Sequence, residues 1–453
     1  MKDIDQITTV YFLGIGGIGM SALARYFHSR GVNVCGYDKT PSEITKALQL
    51  EGIEVSFEDD PAGVSSQPEL VVYTPAVPTD TNLFTYFSAQ DIPLKKRSEI
   101  LGLISSALPT IAVAGTHGKT TIGAMLTHIF IQAGVPCTAF LGGISTNYNT
   151  NYVGEPGSHW LIAEADEFDR SFLQLHPRLA LISSMDTDHL DIYGSYEELT
   201  RSFNMFTKQI SKQGVLIVNN RIKSRLDYSG KCYTYGFTRE SDYSMNNTGI
   251  REGYYEADFN GMLEIKGVMI GHPGRHNLEN ALAAAALAHQ AGIAPESIKR
   301  ALSGFTGVKR RFEVHIQTTN TVYLDDYAHH PEEIRACILS AREIWPKRKI
   351  TGVFQPHLYT RTRDLADQFA DSLSLLDELI LLDIYPAREE PIEGVDSEMI
   401  LDKVKTKAIV SKREELLSLL KRKHTDILIT MGAGDIDRFT EPIKQLLQNK
   451  GLS

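Results

Sequence analysis

Two apolar runs, each cut off by a glycine cluster and followed by a helical pattern, restrict the fold of this chain more than any other feature. They read TVYFLGIGGIGMS (residues 9–21) and TIAVAGTHGKTT (residues 110–121). A strand that ends in a glycine turn and re-enters as a helix belongs to a parallel sheet, because parallel strands need a crossover and the crossover is usually a helix. Residues 32–37 and 70–73 read as further strands of the first block. A third block opens at TVYLDDYAHHP (residues 321–331), with GVKRRF (307–312) leading into it, and continues through ITGVF, ELILLDI and ILITMGAGD. In 453 residues, three such starts imply about three domains. We draw them at 1–106, 107–313 and 314–453. Residues 227–270 are rich in Tyr, Asn and Gly and alternate as β structure does, which predicts an antiparallel flap on the middle block.

The first loop, Gly14, Gly16, Gly17 and Gly19, fits GxGxxG between a strand and a helix. Its glycines let the backbone turn tightly and approach a diphosphate at the helix N-terminus. Asp38 ends the next strand, where an acid can meet a ribose hydroxyl. Alternatives are a dinucleotide such as NAD, or a tight turn with no ligand and Asp38 as a turn residue.

The second loop weighs against NAD by supplying a different cofactor. Gly115, Thr116, His117, Gly118, Lys119, Thr120 and Thr121 carry the GKT core of a phosphate loop, although Val113 stands where GxxxxGK[ST] has its first glycine. Successive backbone N–H groups make a nest for phosphates. Lys119 brings a positive charge to the terminal phosphates, and the Thr120 hydroxyl suits Mg2+. Further on, Glu164 is the first acid after the apolar run WLIA, where a Mg2+ ligand belongs. Asp166, Glu167 and Asp169 read equally well as a solvated acidic loop. His189 follows the next strand-like run, LALISSM, and its place beside the other loops favours function over a structural role.

Composition narrows the classes. The net charge of −10 argues against a nucleic-acid partner. The four cysteines, Cys35, Cys137, Cys232 and Cys337, form no CxxC pair and read as buried thiols. MKDIDQITTV lacks the basic start and apolar stretch of a signal peptide, and the apolar run at 281–288 is too short to span a bilayer. No membrane partner and a cytoplasmic location are expected.

The stretches GIGGIGMS, TPAVP, AGTHGKTT, EADEFDRSFL, DTDHLDIYGS, PGRHNLENALAA, GVKRRFE, DDYAHHPEEI, FQPHLYTRTRD, LDIYPAREEPIEGVDS and MGAGDI together resemble the Mur ligase family, along nearly the whole chain. The resemblance implies an α/β fold of three domains. These are an N-terminal Rossmann-like domain for a UDP-linked substrate, a central P-loop ATPase-like domain with a parallel sheet and small β flap, and a C-terminal Rossmann-like domain for an amino acid. It implies ATP-dependent ligation of L-alanine to the carboxylate of UDP-N-acetylmuramate through an acyl phosphate, by a monomer or weak homodimer. By resemblance, Thr120, Glu164 and His189 are the Mg2+ ligands, and Asn277 and Arg311 contact ATP. Gly14, Gly16, Gly17, Gly19, Ser21, Asp38 and Thr74 face the UDP substrate. Tyr327, His329, His357 and Arg361 form the amino-acid pocket, with Lys119, Glu164, His189 and His329 catalytic. Asn277 also reads as a helix N-cap. The chain departs from the family's usual PHRYTRT at Leu358, and from a serine pair at TPAVP.

Overall fold

The computed structural model describes residues 4–186, 193, 195–251, 253–387 and 389–451. It contains three sheets, one for each block read from the sequence. The first holds β1 (Thr9–Leu13), β2 (Asn33–Tyr37), β3 (Glu54–Ser56), β4 (Leu70–Tyr73) and β5 (Leu94–Lys96), in the order β3-β2-β1-β4-β5 and all parallel. Strand order reverses between β1 and β4, which opens a crevice at their C-terminal ends, where the first glycine loop lies. The inner strands β1, β2 and β4 are apolar almost throughout, as strands of a parallel sheet covered on both faces are.

The middle sheet has ten strands: β6 (Thr110–Ala114), β7 (Cys137–Ser145), β8 (Thr150–Gly154), β9 (Trp160–Glu164), β10 (Pro177–Ile182), β11 (Val215–Asn219), β12 (Lys231–Gly236), β13 (Tyr243–Arg251), β14 (Tyr254–Gly261) and β15 (Ile265–Ile270). The order β15-β14-β13-β12-β11-β10-β6-β9-β7-β8 puts β6 between β10 and β9. The second glycine loop is therefore flanked by the strand ends that carry the acids and the following polar run. The strands expected as an antiparallel flap are joined to the edge of the sheet: β12 pairs parallel with β11 and with β13, and β13, β14 and β15 follow as successive neighbours linked by short connections. The third sheet runs β16-β17-β21-β18-β19-β20, from β16 (Glu313–Gln317), β17 (Val322–Asp326), β18 (Ile350–Phe354), β19 (Glu378–Leu382), β20 (Lys407–Ser411) and β21 (Ile427–Met431). Only its edge strand β16 is antiparallel to its neighbour.

The chain divides into two compact units: 1–248 with 257–269 and 279–306, and 249–256 with 270–278 and 307–453. The first unit includes the first sheet and most of the middle one, and a buried polar network explains why they hold together. From the helix Ile18–Ser29, Arg25 forks onto Glu51 at 2.8 Å and donates to Asn151 Oδ1 on β8 at 2.5 Å. Asn151 Nδ2 donates back to Ile18 O at 2.5 Å and to Ser21 Oγ at 3.0 Å. Arg25, Ser21 and Asn151 leave water together and satisfy one another, as buried polar atoms must, while Glu51 meets Arg25 from the solvent side at 40% exposure. Among the described residues no helix is long and apolar enough to cross a membrane. Cys35, Cys137 and Cys337 are buried thiols, whereas Cys232 is only half-buried.

Candidate active site

Strand β6 ends at Ala114, and the helix Lys119–Gln132 begins five residues later. Gly118 caps that helix at φ 85°, a left-handed conformation that glycine adopts without strain. A side chain there would also strike Asn280 of the helix Arg275–Gln290, whose Oδ1 lies 2.6 Å from the Cβ position. The loop is stitched to the chain after β10. Thr116 N donates to Ser184 O at 3.2 Å, His117 N to Ser184 Oγ at 2.9 Å, and Asp186 N to Thr116 Oγ1 at 3.0 Å. Thr116 thus shapes the loop with its hydroxyl, and Thr121 is buried beneath it.

Lys119 Nζ donates to Gly115 O at 2.6 Å and to Glu167 at 2.9 Å, with the lysine side chain 11% exposed and the glutamate fully buried. Burial pulls the ammonium down. Glu167, Glu164 and Asp166 outweigh that, so Lys119 is held above its ordinary value and stays charged. The solvated reading of Glu167 is corrected here: the loop folds it under Lys119, where an unpaired carboxylate could not survive. Asp166 is 39% exposed and 3.9 Å from Arg97.

Thr120 Oγ1 donates to Glu164 Oε2 at 3.0 Å. A hydroxyl beside a carboxylate at the mouth of a phosphate loop is the oxygen donor set that Mg2+ accepts, with its remaining positions left to phosphate and water. The residues fit that ion. Gly142 of β7 makes the room: a Cβ there would collide with Glu164 and lie 2.9 Å from Thr120 Oγ1. His189, read as a further ligand, lies outside the described residues. Among the described residues no cluster of three or more His, Cys, Asp or Glu could hold a metal. Thr120 and Glu164 are therefore a partial donor set that the nucleotide's phosphates would complete.

In the first sheet, Gly16 N donates to Asp38 Oδ2 at 2.8 Å, and Thr40 N to Asp38 Oδ1 at 3.1 Å. Asp38 therefore holds the loop's shape. Thr74 packs on Gly14, its Cγ2 2.7 Å from that glycine's Cβ position. Gly17 precedes the helix Ile18–Ser29, and the Arg97 guanidinium reaches within 3.0 Å of the Cβ position of Gly19. Arg97 was not among the residues expected, because it lies on a separate helix, Arg97–Ala107. Ser21 is buried against Asn151.

The second unit assembles the other group. Strand β17 ends in Asp325 and Asp326, both buried. Asp325 meets Arg310 at 3.1 Å, and Asp326 accepts from Phe312 N at 2.9 Å and Ala328 N at 2.7 Å. Burial, opposed by Arg311, pushes Asp326 up to about 7. The guanidinium groups of Arg310 and Arg311 cover the Tyr327 ring, 5.2 and 5.1 Å from its centroid. The rings of His329 and His357 stand 6.1 Å apart, and His357 stacks on Tyr385 at 5.8 Å. Leu358 opens the helix Tyr359–Leu373 at φ 71°, an uncommon conformation for a leucine. Arg361, on that helix, has a buried Nη1 with no hydrogen-bond partner among the described residues. A buried cationic donor left open in this way suits an incoming carboxylate. Asn277 is buried and donates to Pro273 O at 2.6 Å in the turn that opens its helix. Beside it, His276 is lowered to about 4 by burial and by Arg311. Arg97, His276, Asn280 and Glu333 are the side chains that sequence reasoning missed. PGRHNLENA and DDYAHHPEE held three of them in view, but spacing alone could not tell which would turn inward.

A phosphate loop on one parallel sheet, served by acids from the neighbouring strands, defines an α/β nucleotide-using enzyme. The chain belongs to the Mur ligase family. Its models match at 9–108 (Mur ligase family, catalytic domain), 113–288 (Mur ligase middle domain) and 310–434 (Mur ligase, glutamate ligase domain). The chain is 48% identical over 454 residues to the UDP-N-acetylmuramate–L-alanine ligase of Parabacteroides distasonis, covering 98% of each. It is 47% identical to that of Cytophaga hutchinsonii, covering 99% of this chain and 98% of the relative. Among solved structures, the UDP-N-acetylmuramate–alanine ligase of Thermotoga maritima superposes with a TM-score of 0.84 at 28% identity, covering 98% of this chain and all of that one. MurF ligase of the same organism, solved with ADP, shares the fold at 15% identity and a TM-score of 0.64, over 92% of this chain and 96% of that one.

Proposed function

We propose that this chain joins L-alanine to the carboxylate of UDP-N-acetylmuramate, driven by ATP, in the cytoplasmic assembly of peptidoglycan precursors. The names of its full-length relatives support the substrates. The observation that carries the chemistry is the buried Lys119 ammonium inside the phosphate loop, with the Thr120–Glu164 pair beside it. We assign the UDP substrate to residues 1–106, ATP to 107–313 and the amino acid to 314–453.

A carboxylate resists amine attack because its leaving group would be oxide. Phosphoryl transfer from ATP makes it an acyl phosphate, whose leaving group is phosphate. The backbone N–H groups from Gly115 to Thr121 and the Lys119 ammonium hold the phosphates and take up charge as the terminal group moves. Thr120 and Glu164 would hold Mg2+, with His189 the further ligand expected from sequence, and the ion would neutralise charge on the phosphate oxygens. Asn277 and Arg311 serve the nucleotide. Gly14, Gly16, Gly17, Gly19 and Thr74 receive the UDP part, with Arg97 adding charge at that loop. Arg361 takes the alanine carboxylate, and Tyr327, His329 and His357 surround its amine.

Phosphate release measured with ATP, UDP-N-acetylmuramate and each amino acid in turn tests this. L-alanine should give by far the fastest release. Release equal for all amino acids, or independent of UDP-N-acetylmuramate, would defeat the proposal.

A further inference from the structure

We infer that Glu333 is a positioning residue for amide formation, fixing His329 so that its Nε2 carries the lone pair that meets the incoming amine. This rests on the ligase reading and adds a residue to its second step. Glu333 is the third residue of the helix Pro331–Ile344, where a capping-box acid belongs, and its Oε2 accepts from His329 N at 3.1 Å and His330 N at 3.3 Å. A cap needs nothing more, yet the same carboxylate does more. Its Oε2 lies 3.4 Å from His329 Nδ1, and its Oε1 lies 3.9 Å from Arg311 Nη1. Glu333 therefore touches the histidine read as the amine's partner and the arginine read as a nucleotide contact.

The surroundings of Nδ1 decide the tautomer. One neighbour is the Glu333 carboxylate, and the other is the Tyr327 carbonyl at 3.0 Å. Both only accept, so the ring proton sits on Nδ1 and the lone pair falls to Nε2. The opposite tautomer would set a lone pair against two oxygens. The charges facing the ring are Glu333, Arg361 and Arg311, and the His357 ring lies 6.1 Å away. Burial disfavours the imidazolium most, Glu333 opposes it and the arginines reinforce it, so His329 is held below its ordinary value and is neutral at neutral pH. A neutral ring with its lone pair at Nε2 takes a proton from the alanine ammonium. The nitrogen lone pair then forms the C–N bond, the C–O bond to phosphate breaks, and phosphate leaves with that electron pair and takes the second proton from the new amide nitrogen. The proton on Nε2, briefly balanced by Glu333, passes to solvent.

The test uses the full chain labelled with 15N-histidine, alongside Glu333→Gln, whose amide keeps the capping acceptor but can also donate to Nδ1. The free wild-type protein should show His329 as the Nδ1–H tautomer. In E333Q the two tautomers should mix. The acidic limb of kcat/KM for L-alanine should move to lower pH, because a charge favouring the imidazolium is gone, and kcat should fall at least about tenfold. A wild-type Nε2–H tautomer, or an E333Q enzyme with wild-type pH profile and kcat, would overturn the inference. If E333Q does not fold, the wild-type spectrum decides alone. A wild-type chain that ligates no amino acid would instead strike the functional reading, and the tautomer spectra would still judge Glu333.

Discussion

Lys119 and Glu167 are one unit. Removing the lysine withdraws transition-state charge, worth roughly 3–4 kcal/mol or a few hundredfold in rate. It also strands a fully buried carboxylate, at a cost of about 3–5 kcal/mol in stability. Lys119→Ala should therefore lose both turnover and melting temperature, and Lys119→Ala with Glu167→Gln should regain the second but not the first. Calorimetry and phosphate release on both variants check this; a single variant as stable as wild type would contradict it. Read from sequence, Lys119 is a catalytic lysine with no structural duty, since GTHGKTT carries no sign of its counter-ion 48 residues on. Glu378 tests the same physics away from the site. Its side chain, 7% exposed, meets Lys423 at 2.5 Å, Lys349 at 3.0 Å and Lys407 at 3.3 Å. Burial alone would raise it, but the three ammonium groups overcome that and hold it at about 2. Its folded value lies below its unfolded one, so its stabilisation is complete above the ordinary carboxylate range and fades as pH falls toward about 2. The gap in stability between wild type and Glu378→Gln should be widest at neutral pH and close between pH 4.5 and 2 in acid denaturation; a constant gap would contradict it.

Among the elements, β1, β6 and β17 were legible because each is a short apolar run ended by glycine or acid, and local chemistry marks where it stops. Strands β12 to β15 were legible as β structure only. Alternation shows one face wet and one dry, but not which neighbour a strand will pair with, so the expected flap proved to be more of the middle sheet. Strand β7 has a duty that sequence conceals: its Gly142 leaves the gap in which Thr120 and Glu164 meet. Gly142→Ala should force Glu164 aside, raise the Mg2+ concentration needed for half-maximal activity at least about tenfold, and lower stability by about 1–3 kcal/mol. A magnesium titration with an unchanged midpoint would show that the strand is not what holds that pair.

For the whole molecule, a nucleotide that binds only the folded state must stabilise it. A nonhydrolysable ATP analogue with Mg2+ at a hundredfold excess over its Kd should add about 2.7 kcal/mol, and Lys119→Ala should abolish the gain. An equal rise in that variant would move the nucleotide off the second glycine loop. The amino-acid order alone was enough for three parallel blocks, two glycine turns between a strand and a helix, and an acid after a core strand. These rest on interactions within a dozen residues: a glycine's freedom at positive φ, a helix N-terminus, an apolar period. The fold had to choose which polar groups would be shut away from water together, as with Glu167 under Lys119, Asn280 against Gly118, Ser21 on Asn151 and Glu333 between His329 and Arg311. Most of those pairs join segments far apart in the chain, and burial is a property of packing that no local pattern encodes.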